Sequence, residues 1–420
     1  MNSALQTLMD RGFVKSCSNL DGLSDLMDKE PITFYVGVDP TGKSVHIGHM
    51  VPFFAMHHLQ EAGHNPIALV GGGTGMIGDP SGKTEMRQML TPEQIGLNVI
   101  NIKSQLGTVV DFSEIPKDSK IGHATMMDNA DWLTNLNYID FLRTIGRHFS
   151  VNKMLSFEAY KQRLERGLSF IEFNYQLLQS YDFLTLYRQT GCRLQIGGDD
   201  QWGNIVAGIE LTRKVESAEV FGLTFNLIMR ADGKKMGKSE KGAVFLDPEM
   251  YSPYDYYQYW RNVNDADVIK FLKLFTFLSL EEIAKYEVAD VNINEAKERL
   301  AYENTLIVHG KEEAEKAKIA AKAMFSADAP ATIEQRNGMP SMEMSKADLE
   351  AGIPVLNLYS LTSLCASNGE ARRLVTGGGA SINGAKIVDT KAIIKADLLD
   401  NEGELLLKAG KKRFFRIIVK

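Results

Sequence analysis

The chain has 420 residues, 44% of them hydrophobic and 24% charged, a globular composition with enough apolar material for two or three domains. Cys17, Cys192 and Cys365 are far apart and have no CxxC or Cys/His cluster beside them, which argues against a disulfide framework or structural zinc. The N-terminus lacks a basic segment followed by an apolar one, and no run reaches the roughly 18 apolar residues of a membrane span, so a cytoplasmic protein without a membrane partner is expected. Residues 351–420 carry 11 Lys and Arg against 6 Asp and Glu, whereas residues 1–350 carry 36 against 47. A basic end on an acidic body points to an anionic partner.

In chain order, 33–38 and 66–70 read as short buried strands, and 48–62 between them as a helix ending at Gly63. That is a βαβ unit, which implies a parallel sheet with helices on its faces. Residues 120–190 are mostly helical in pattern and interrupt the alternation, before a strand at 193–196 runs into Gly197-Gly198-Asp199-Asp200. In such sheets ligands sit at the carboxyl ends of the strands, where these glycine-rich segments fall. Residues 253–325 are helical throughout. Pro330, Gly338 and Pro340 mark a linker, and Asn383-Gly384 between apolar runs signals a hairpin.

Gly73-Thr74-Gly75-Met76-Ile77-Gly78 formally matches the dinucleotide fingerprint, but Asp79-Pro80-Ser81-Gly82 continues as a turn, so no helix N-terminus faces a pyrophosphate. Gly82-Lys83-Thr84 is a near miss of the P-loop, whose first glycine would fall on Ile77. His46 and His49 flank Gly48 at a helix start, where two imidazoles beside backbone N–H groups can stabilise charge on a phosphate. Lys234 to Ser239 forms a lysine-bearing loop suited to a polyphosphate, although a solvated basic loop is the commoner explanation of such a run alone. Tyr175, Gln179 and Asp182 share one helix face, a polar stripe among Leu177, Leu178, Phe183 and Leu184 that suggests a lined pocket.

Taken together, His46-Ile47-Gly48-His49 and Lys235-Met236-Gly237-Lys238-Ser239 resemble the paired signatures of the class I aminoacyl-tRNA synthetases. The segments Tyr35–Thr41, Gly78–Lys83, Tyr175–Asp182 and Gln195–Trp202 resemble the bacterial tyrosyl members, and the tail around Glu370–Asp389 is similar to their S4-type RNA-binding module. The expected fold class is α/β. A Rossmann-like parallel-sheet catalytic domain spans 1–225, with a helical dimerisation insertion at about 120–190. A signature loop and α-helical anticodon-side domain follow over 226–325, then a linker over 326–350 and a small α+β S4-like domain over 351–420.

The resemblance implies that Tyr35 and Asp182 hydrogen-bond a substrate phenol while Tyr175, Gln179 and Asp79 hold its α-ammonium. It places Gly37, Asp39, Gly48, Gly198, Asp200 and Gln201 around the ATP ribose and α-phosphate, Gln201 within the tyrosine site as well. Thr41, His46 and His49 would contact the phosphates, and Lys83, Arg87, Lys235, Lys238 and Ser239 the departing pyrophosphate. Asp199 stands where the family commonly has Ser, and Thr41-Gly42-Lys43 where it usually has Thr-Ala-Asp. The implied activity is ligation of L-tyrosine to tRNA at the expense of ATP, with Mg²⁺ accompanying ATP, no tightly bound cofactor and no protein-held metal. Arg372, Arg373, Lys386, Lys411, Lys412 and Arg413 would follow the RNA backbone. A homodimer is implied, with Trp132, Phe141 and Phe149 as apolar material for its interface. Two alternatives stand beside this reading: a tryptophanyl enzyme of the same fold, and a catalytically silent RNA-binding paralogue.

Overall fold

The computed structural model describes residues 1–81, 90–114, 116, 119–165, 167–229, 236, 238–239, 242–288, 291–323, 336, 339–410 and 413–420. The chain divides into two compact units, one of residues 1–250 with 264–296, the other of 251–263 with 297–420.

The first unit is built on a six-stranded sheet of order β1-β6-β5-β2-β3-β4. Its strands are β1 (Val14–Cys17), β2 (Thr33–Val38), β3 (Asn65–Val70), β4 (Thr125–Asp128), β5 (Leu194–Gly198) and β6 (Phe221–Phe225). All neighbours are parallel except β1, which runs antiparallel to β6. β3 is buried from Pro66 to Val70, as expected for a parallel strand covered on both faces. The order reverses between β2 and β5, so the crevice of this sheet opens beyond Val38 and Gly198. Ser3–Asp10 (α1) and Leu20–Lys29 (α2) flank the first strands, and Val51–Glu61 (α3) makes the first crossover. Gly63 closes that crossover at φ 92°, a left-handed turn that needs a glycine.

The helix Pro92–Leu106 (α4) starts with a capping box between Thr91 and Gln94. Short helices α5 (Ala130–Leu133), α6 (Tyr138–Thr144), α7 (Val151–Leu155) and α8 (Glu158–Leu164) then lead to the 21-residue α9 (Phe170–Thr190). α9 is fixed at both ends, by a Ser169/Glu172 capping box and by Gly191 in the left-handed conformation. Glu172 also accepts a buried ion pair from Arg163 at 3.0 Å. α10 (Trp202–Glu216) packs along α9 and returns the chain to β6.

The expected helical insertion at 120–190 is therefore interrupted. Thr125-Met126-Met127-Asp128 is the edge strand β4, whose short, methionine-rich sequence gives no alternating signal. After β6, the hairpin β7 (Lys238–Ser239) and β8 (Gly242–Ala243) precedes helix α11 (Pro253–Arg261) of the second unit. Helices α12 (Val268–Phe275) and α13 (Leu280–Ala284) return to the first unit.

In the second unit α14 (Ile293–Ala323) breaks at Gly310, whose φ of 84° and ψ of 170° lie outside helical space. A five-stranded sheet of order β12-β11-β14-β15-β9 follows, with β9 (Ser341–Met344), β11 (Ala380–Ile382), β12 (Ala385–Ile387), β14 (Glu404–Ala409) and β15 (Arg413–Val419). The strand β10 (Ile353–Pro354) pairs separately with β13 (Ile393–Ile394). Asn383 (φ 48°) and Gly384 (φ 81°) form the tight turn of the β11–β12 hairpin.

The linker expected at 326–350 is corrected in its second half. Ser341–Met344 runs parallel to β15, Lys346–Ala351 is a helix, and Met344 and Leu349 enter the core of the sheet. Pro340 reads as a breaker, yet its carbonyl accepts the Arg416 amide. Arg336 pairs with Asp400 and Glu404, and Arg416 with Glu404, in a buried charged cluster that ties the segment to the sheet.

Candidate active site

β2 ends in Gly37-Val38-Asp39, and Asp39 enters the crevice at the point where strand order reverses. Its Oδ1 accepts from Thr74 Oγ1 at 2.7 Å and its Oδ2 from the Tyr175 hydroxyl at 2.9 Å. The Asn129 amide donates both to Thr74 Oγ1 and to Asp182 Oδ2, each at 2.9 Å, while its Oδ1 accepts the Gly73 and Thr74 amides. Trp132 Nε1 donates to the other oxygen of Asp182 at 2.8 Å. A continuous line of hydrogen bonds thus runs from Asp182 through Asn129 and Thr74 to Asp39 and Tyr175.

The glycine run after β3 makes this line possible. A Cβ on Gly71 would lie 2.2 Å from Asp39 Oδ1, and one on Gly72 would lie 2.3 Å from Asp128 Oδ1.

Burial pushes the Asp182 carboxyl up to about 8, against the pull of the Asn129 and Trp132 hydrogen bonds and with help from the nearby Asp39 and Asp128 charges. The same burial, with Asp182 beside Tyr35 and Asp39 beside Tyr175, raises both phenols well above their ordinary value. Asp39 and Asp79 both lie near Tyr175, and carboxylates gathered there make a natural seat for an ammonium group.

Tyr35 is 1% exposed, and its hydroxyl has no partner among the described atoms. Gln195, in register with Tyr35 on the neighbouring strand, leaves its Oε1 equally unpartnered. Buried polar groups are nearly always paired, so two orphans side by side at a strand-end crevice suit a ligand that supplies the missing hydrogen bonds.

A second network holds the opposite wall. Asp79 accepts from the Ser81 amide at 2.8 Å and from Gln201 Nε2 at 2.7 Å. Gln179 Nε2 donates to Gln201 Oε1 at 3.3 Å, and Asn204 Nδ2 reaches Gln179 Oε1 at 3.0 Å and Gln201 Oε1 at 3.2 Å. Asp199 is turned away to accept from Thr224 Oγ1 at 3.1 Å, whereas Asp200 is exposed at the start of the turn that follows β5.

The imidazoles of His46 and His49 stack with ring centroids 3.7 Å apart, and His46 Nδ1 accepts the Gly48 amide at 3.1 Å. A Cβ on Gly48 would stand 2.9 Å from both His46 Cε1 and the Met236 carbonyl, so the space left by this glycine is already used by the chain itself. Gly37 is different. It is exposed, nothing lies within 4 Å of where its Cβ would be, and the space above it is open to a ligand. Thr41 is exposed, with its amide donated to the Asp39 carbonyl, and Gly198 ends β5 near Leu227, itself half exposed.

The structure therefore gathers Tyr35, Gly37, Asp39, Asp79, Tyr175, Gln179, Asp182, Gly198, Asp200 and Gln201 at one end of one sheet. Lys83, Arg87 and Lys235 lie outside the described residues, and of Lys238 and Ser239 only the β7 backbone is described. Sequence reasoning missed Thr74, Asn129, Asn204 and Gln195. All but Gln195 are small polar residues in loops or at helix starts, where no periodicity singles them out.

Trp132, Phe141 and Phe149, expected as apolar material for an interface, have partners within the chain, and Trp132 and Phe149 remain half-buried. Trp132 turns inward to Asp182, and Phe141 and Phe149 pack with Ile145, Met154 and Leu177. Tyr138, Ile139, Leu142, Val151, Leu164 and Phe170 are exposed apolar residues of that region. In the second unit Arg372 and Arg373 are exposed on helix Asn368–Thr376, and Lys386 is exposed on β12. Arg413 pairs with Glu370 at 3.6 Å, while Lys411 and Lys412 lie outside the described residues. Among the described residues no group of three His, Cys, Asp or Glu could hold a metal, and no helix is long and apolar enough to cross a membrane.

The family model of class I tRNA synthetases (W and Y) matches residues 27–326, and that of the tyrosine–tRNA ligase SYY-like C-terminal domain matches 332–417. The chain is 56% identical over 418 residues to a tyrosine–tRNA ligase of Treponema denticola, covering 100% of both chains. It is 54% identical over 420 residues to that of Borrelia turicatae, again covering 100% of both. Among solved structures it resembles a C-terminally truncated mitochondrial tyrosyl-tRNA synthetase of Aspergillus nidulans, with a TM-score of 0.69 and 27% identity over 77% of this chain and 95% of that one. A tryptophanyl-tRNA synthetase of Encephalitozoon cuniculi, at TM-score 0.53 and 16% identity over 74% of this chain and 87% of that one, shares the fold.

Proposed function

The chain belongs to the class I tRNA synthetases for tryptophan and tyrosine, on the tyrosine–tRNA ligase branch, and on that premise we propose how its site activates L-tyrosine and passes it to tRNA. A tyrosine carboxylate oxygen attacks the α-phosphorus of ATP in line, the bond to the β-phosphate breaks, and tyrosyl-adenylate and pyrophosphate result. A ribose hydroxyl of the terminal tRNA adenosine then attacks the activated carbonyl, releasing AMP.

The observation that carries this reading is the buried pair of Tyr35 and Asp182. The Tyr35 hydroxyl is an orphan, and the Asp182 carboxylate is aimed by Asn129 and Trp132. A substrate phenol donates to Asp182 and accepts from Tyr35. Phenylalanine leaves the Tyr35 hydroxyl unpaired and offers Asp182 no donor beyond Asn129 and Trp132, and discrimination of tyrosine from phenylalanine is the standard example of this effect. Asp79, Tyr175 and Gln179 receive the α-ammonium, and the open face of Gly37 admits the nucleotide, with Asp39, Gly198, Asp200 and Gln201 around its ribose and α-phosphate.

No step uses a covalent enzyme intermediate. Positioning and charge stabilisation do the chemistry, with Thr41, His46 and His49 beside the phosphates and Lys83, Arg87, Lys235, Lys238 and Ser239 on the leaving pyrophosphate. Mg²⁺ arrives with ATP, bound to the substrate's phosphates. Arg372, Arg373, Lys386, Lys411, Lys412 and Arg413 bind the RNA backbone, and exposed Tyr138, Ile139 and Phe170 contribute to a homodimer interface. The enzyme acts in the cytoplasm, where it meets tRNA and ATP.

Charging of tRNA with labelled amino acids tests this reading. Tyrosine should be attached and tryptophan should not, and Arg372→Ala with Arg373→Ala should lower charging while sparing adenylate formation. Attachment of tryptophan, or no attachment at all by folded protein, would overturn it.

A further inference from the structure

The segment leading into His46-Ile47-Gly48-His49 is stitched to the segment that leaves the β7–β8 hairpin. The Ile47 amide donates to the Val244 carbonyl at 3.0 Å, the Leu246 amide to the Val45 carbonyl at 3.1 Å, and His46 bridges Phe245. The Asp247 amide donates to Ser44 Oγ at 3.1 Å. Gln105, near the end of α4, supports the same strip, its Oε1 accepting the Val45 amide at 3.0 Å.

At the open end of this strip stands Lys43. Its ammonium lies 3.2 Å from Asp247 Oδ2 and 2.7 Å from Glu249 Oε2. The Asp247 side chain is only 12% exposed, so one of the two carboxylates is largely withdrawn from water. These hydrogen-bonded partners also raise the lysine above its ordinary value, Glu249 first and Asp247 second.

We propose that Lys43 is a positioning residue for the activation step, an ionic latch to Asp247 and Glu249 that holds the backbone arm carrying the Lys238–Ala243 hairpin against the His46–His49 segment. This rests on the reading of the site as an adenylating one. From Asp247 back to Lys238 the chain runs through Val244–Leu246 and the paired strands β8 and β7, so loosening the latch leaves this arm held by the Ile47–Val244 and Leu246–Val45 backbone bonds and the Asp247 amide on Ser44 Oγ. Tyr35, Tyr175 and Asp182 belong to the hydrogen-bonded crevice beyond β2 and not to this strip, so tyrosine binding is unaffected.

Lys43→Ala should lower kcat of tyrosine-dependent pyrophosphate exchange about two- to fivefold, the scale of exposed ion pairs, with KM for tyrosine unchanged. Lys43→Arg should restore the rate. The ratio of wild-type to Lys43→Ala rates should fall towards one as ionic strength rises. Independently of activity, amide exchange at Ile47, Leu246 and Asp247 should quicken in Lys43→Ala. Unchanged amide exchange, or an unchanged kcat, overturns the latch, as does a loss confined to KM for tyrosine. Failure of the adenylating reading looks different, being wild-type protein that shows no exchange with tyrosine while the amide effect of Lys43→Ala persists.

Discussion

Asn129 donates to Asp182 Oδ2 at 2.9 Å with the same amide nitrogen that reaches Thr74, and its carbonyl holds the Gly73 and Thr74 amides. One side chain at the end of β4 therefore fixes both the carboxylate at the pocket floor and the glycine loop that shapes Asp39. Removing a donor to a buried charged group costs about 1.5–3 kcal/mol, or roughly 10- to 100-fold. Asn129→Ala should lower kcat/KM for tyrosine by that factor while changing phenylalanine far less, narrowing the preference between them. Steady-state exchange with both amino acids measures this, and an equal fall for both would contradict it.

The buried Tyr35 hydroxyl has no partner among the described residues, so it adds no hydrogen bond there to the fold and costs its own desolvation. Tyr35→Phe should leave the melting temperature unchanged or raise it, while kcat/KM for tyrosine falls about tenfold, the order of a single hydrogen bond in a dry site. Calorimetry and exchange kinetics on the same preparation separate the two effects.

Asp182 is raised to about 8 in the folded protein against an ordinary value near 3.8, so the folded state holds its proton more tightly than the unfolded state. Its contribution to stability is fully present below about pH 4 and is lost as pH rises towards 8. Asp182→Asn removes that titration. The stability of wild-type protein relative to the variant should decline between these limits by about 2 kcal/mol or more, and be flat above pH 8. Denaturant unfolding across this range provides the check, and parallel pH profiles would refute the assignment.

Gly71→Ala would place a Cβ 2.2 Å from Asp39 Oδ1 and 2.4 Å from Thr74 Oγ1, severing their hydrogen bond. Overpacking of this kind costs about 1–3 kcal/mol. The variant should unfold earlier and, with Asp39 placed beside the nucleotide as proposed, show a higher KM for ATP. Unaltered ATP dependence would contradict the placement of Asp39.

Much of this site is legible in the sequence because its chemistry sits in contiguous signatures or on a helix period. The spacing of Tyr175, Gln179 and Asp182 puts them on one helix face, while their roles come only from the family resemblance, and Asn383-Gly384 announces its hairpin. What periodicity could not show is what Asn129, Thr74 and Asn204 do, since each acts through hydrogen bonds between segments distant in sequence. Edge strands β4 and β9 were hidden for a related reason. Four residues of Thr, Ser, Met, Glu and Asp carry no alternation strong enough to separate a strand from a loop, and only pairing with β3 and β15 defines them. Trp132 misled by its apolar bulk, although its indole N–H serves Asp182.

The most direct test of the account is amino-acid-dependent ATP–pyrophosphate exchange without tRNA, run separately with tyrosine, tryptophan and phenylalanine. Exchange with tyrosine alone is the predicted result, since only a phenol satisfies Tyr35 and Asp182 together. Exchange with tryptophan, or with tyrosine and phenylalanine equally, would contradict the roles given to those two residues.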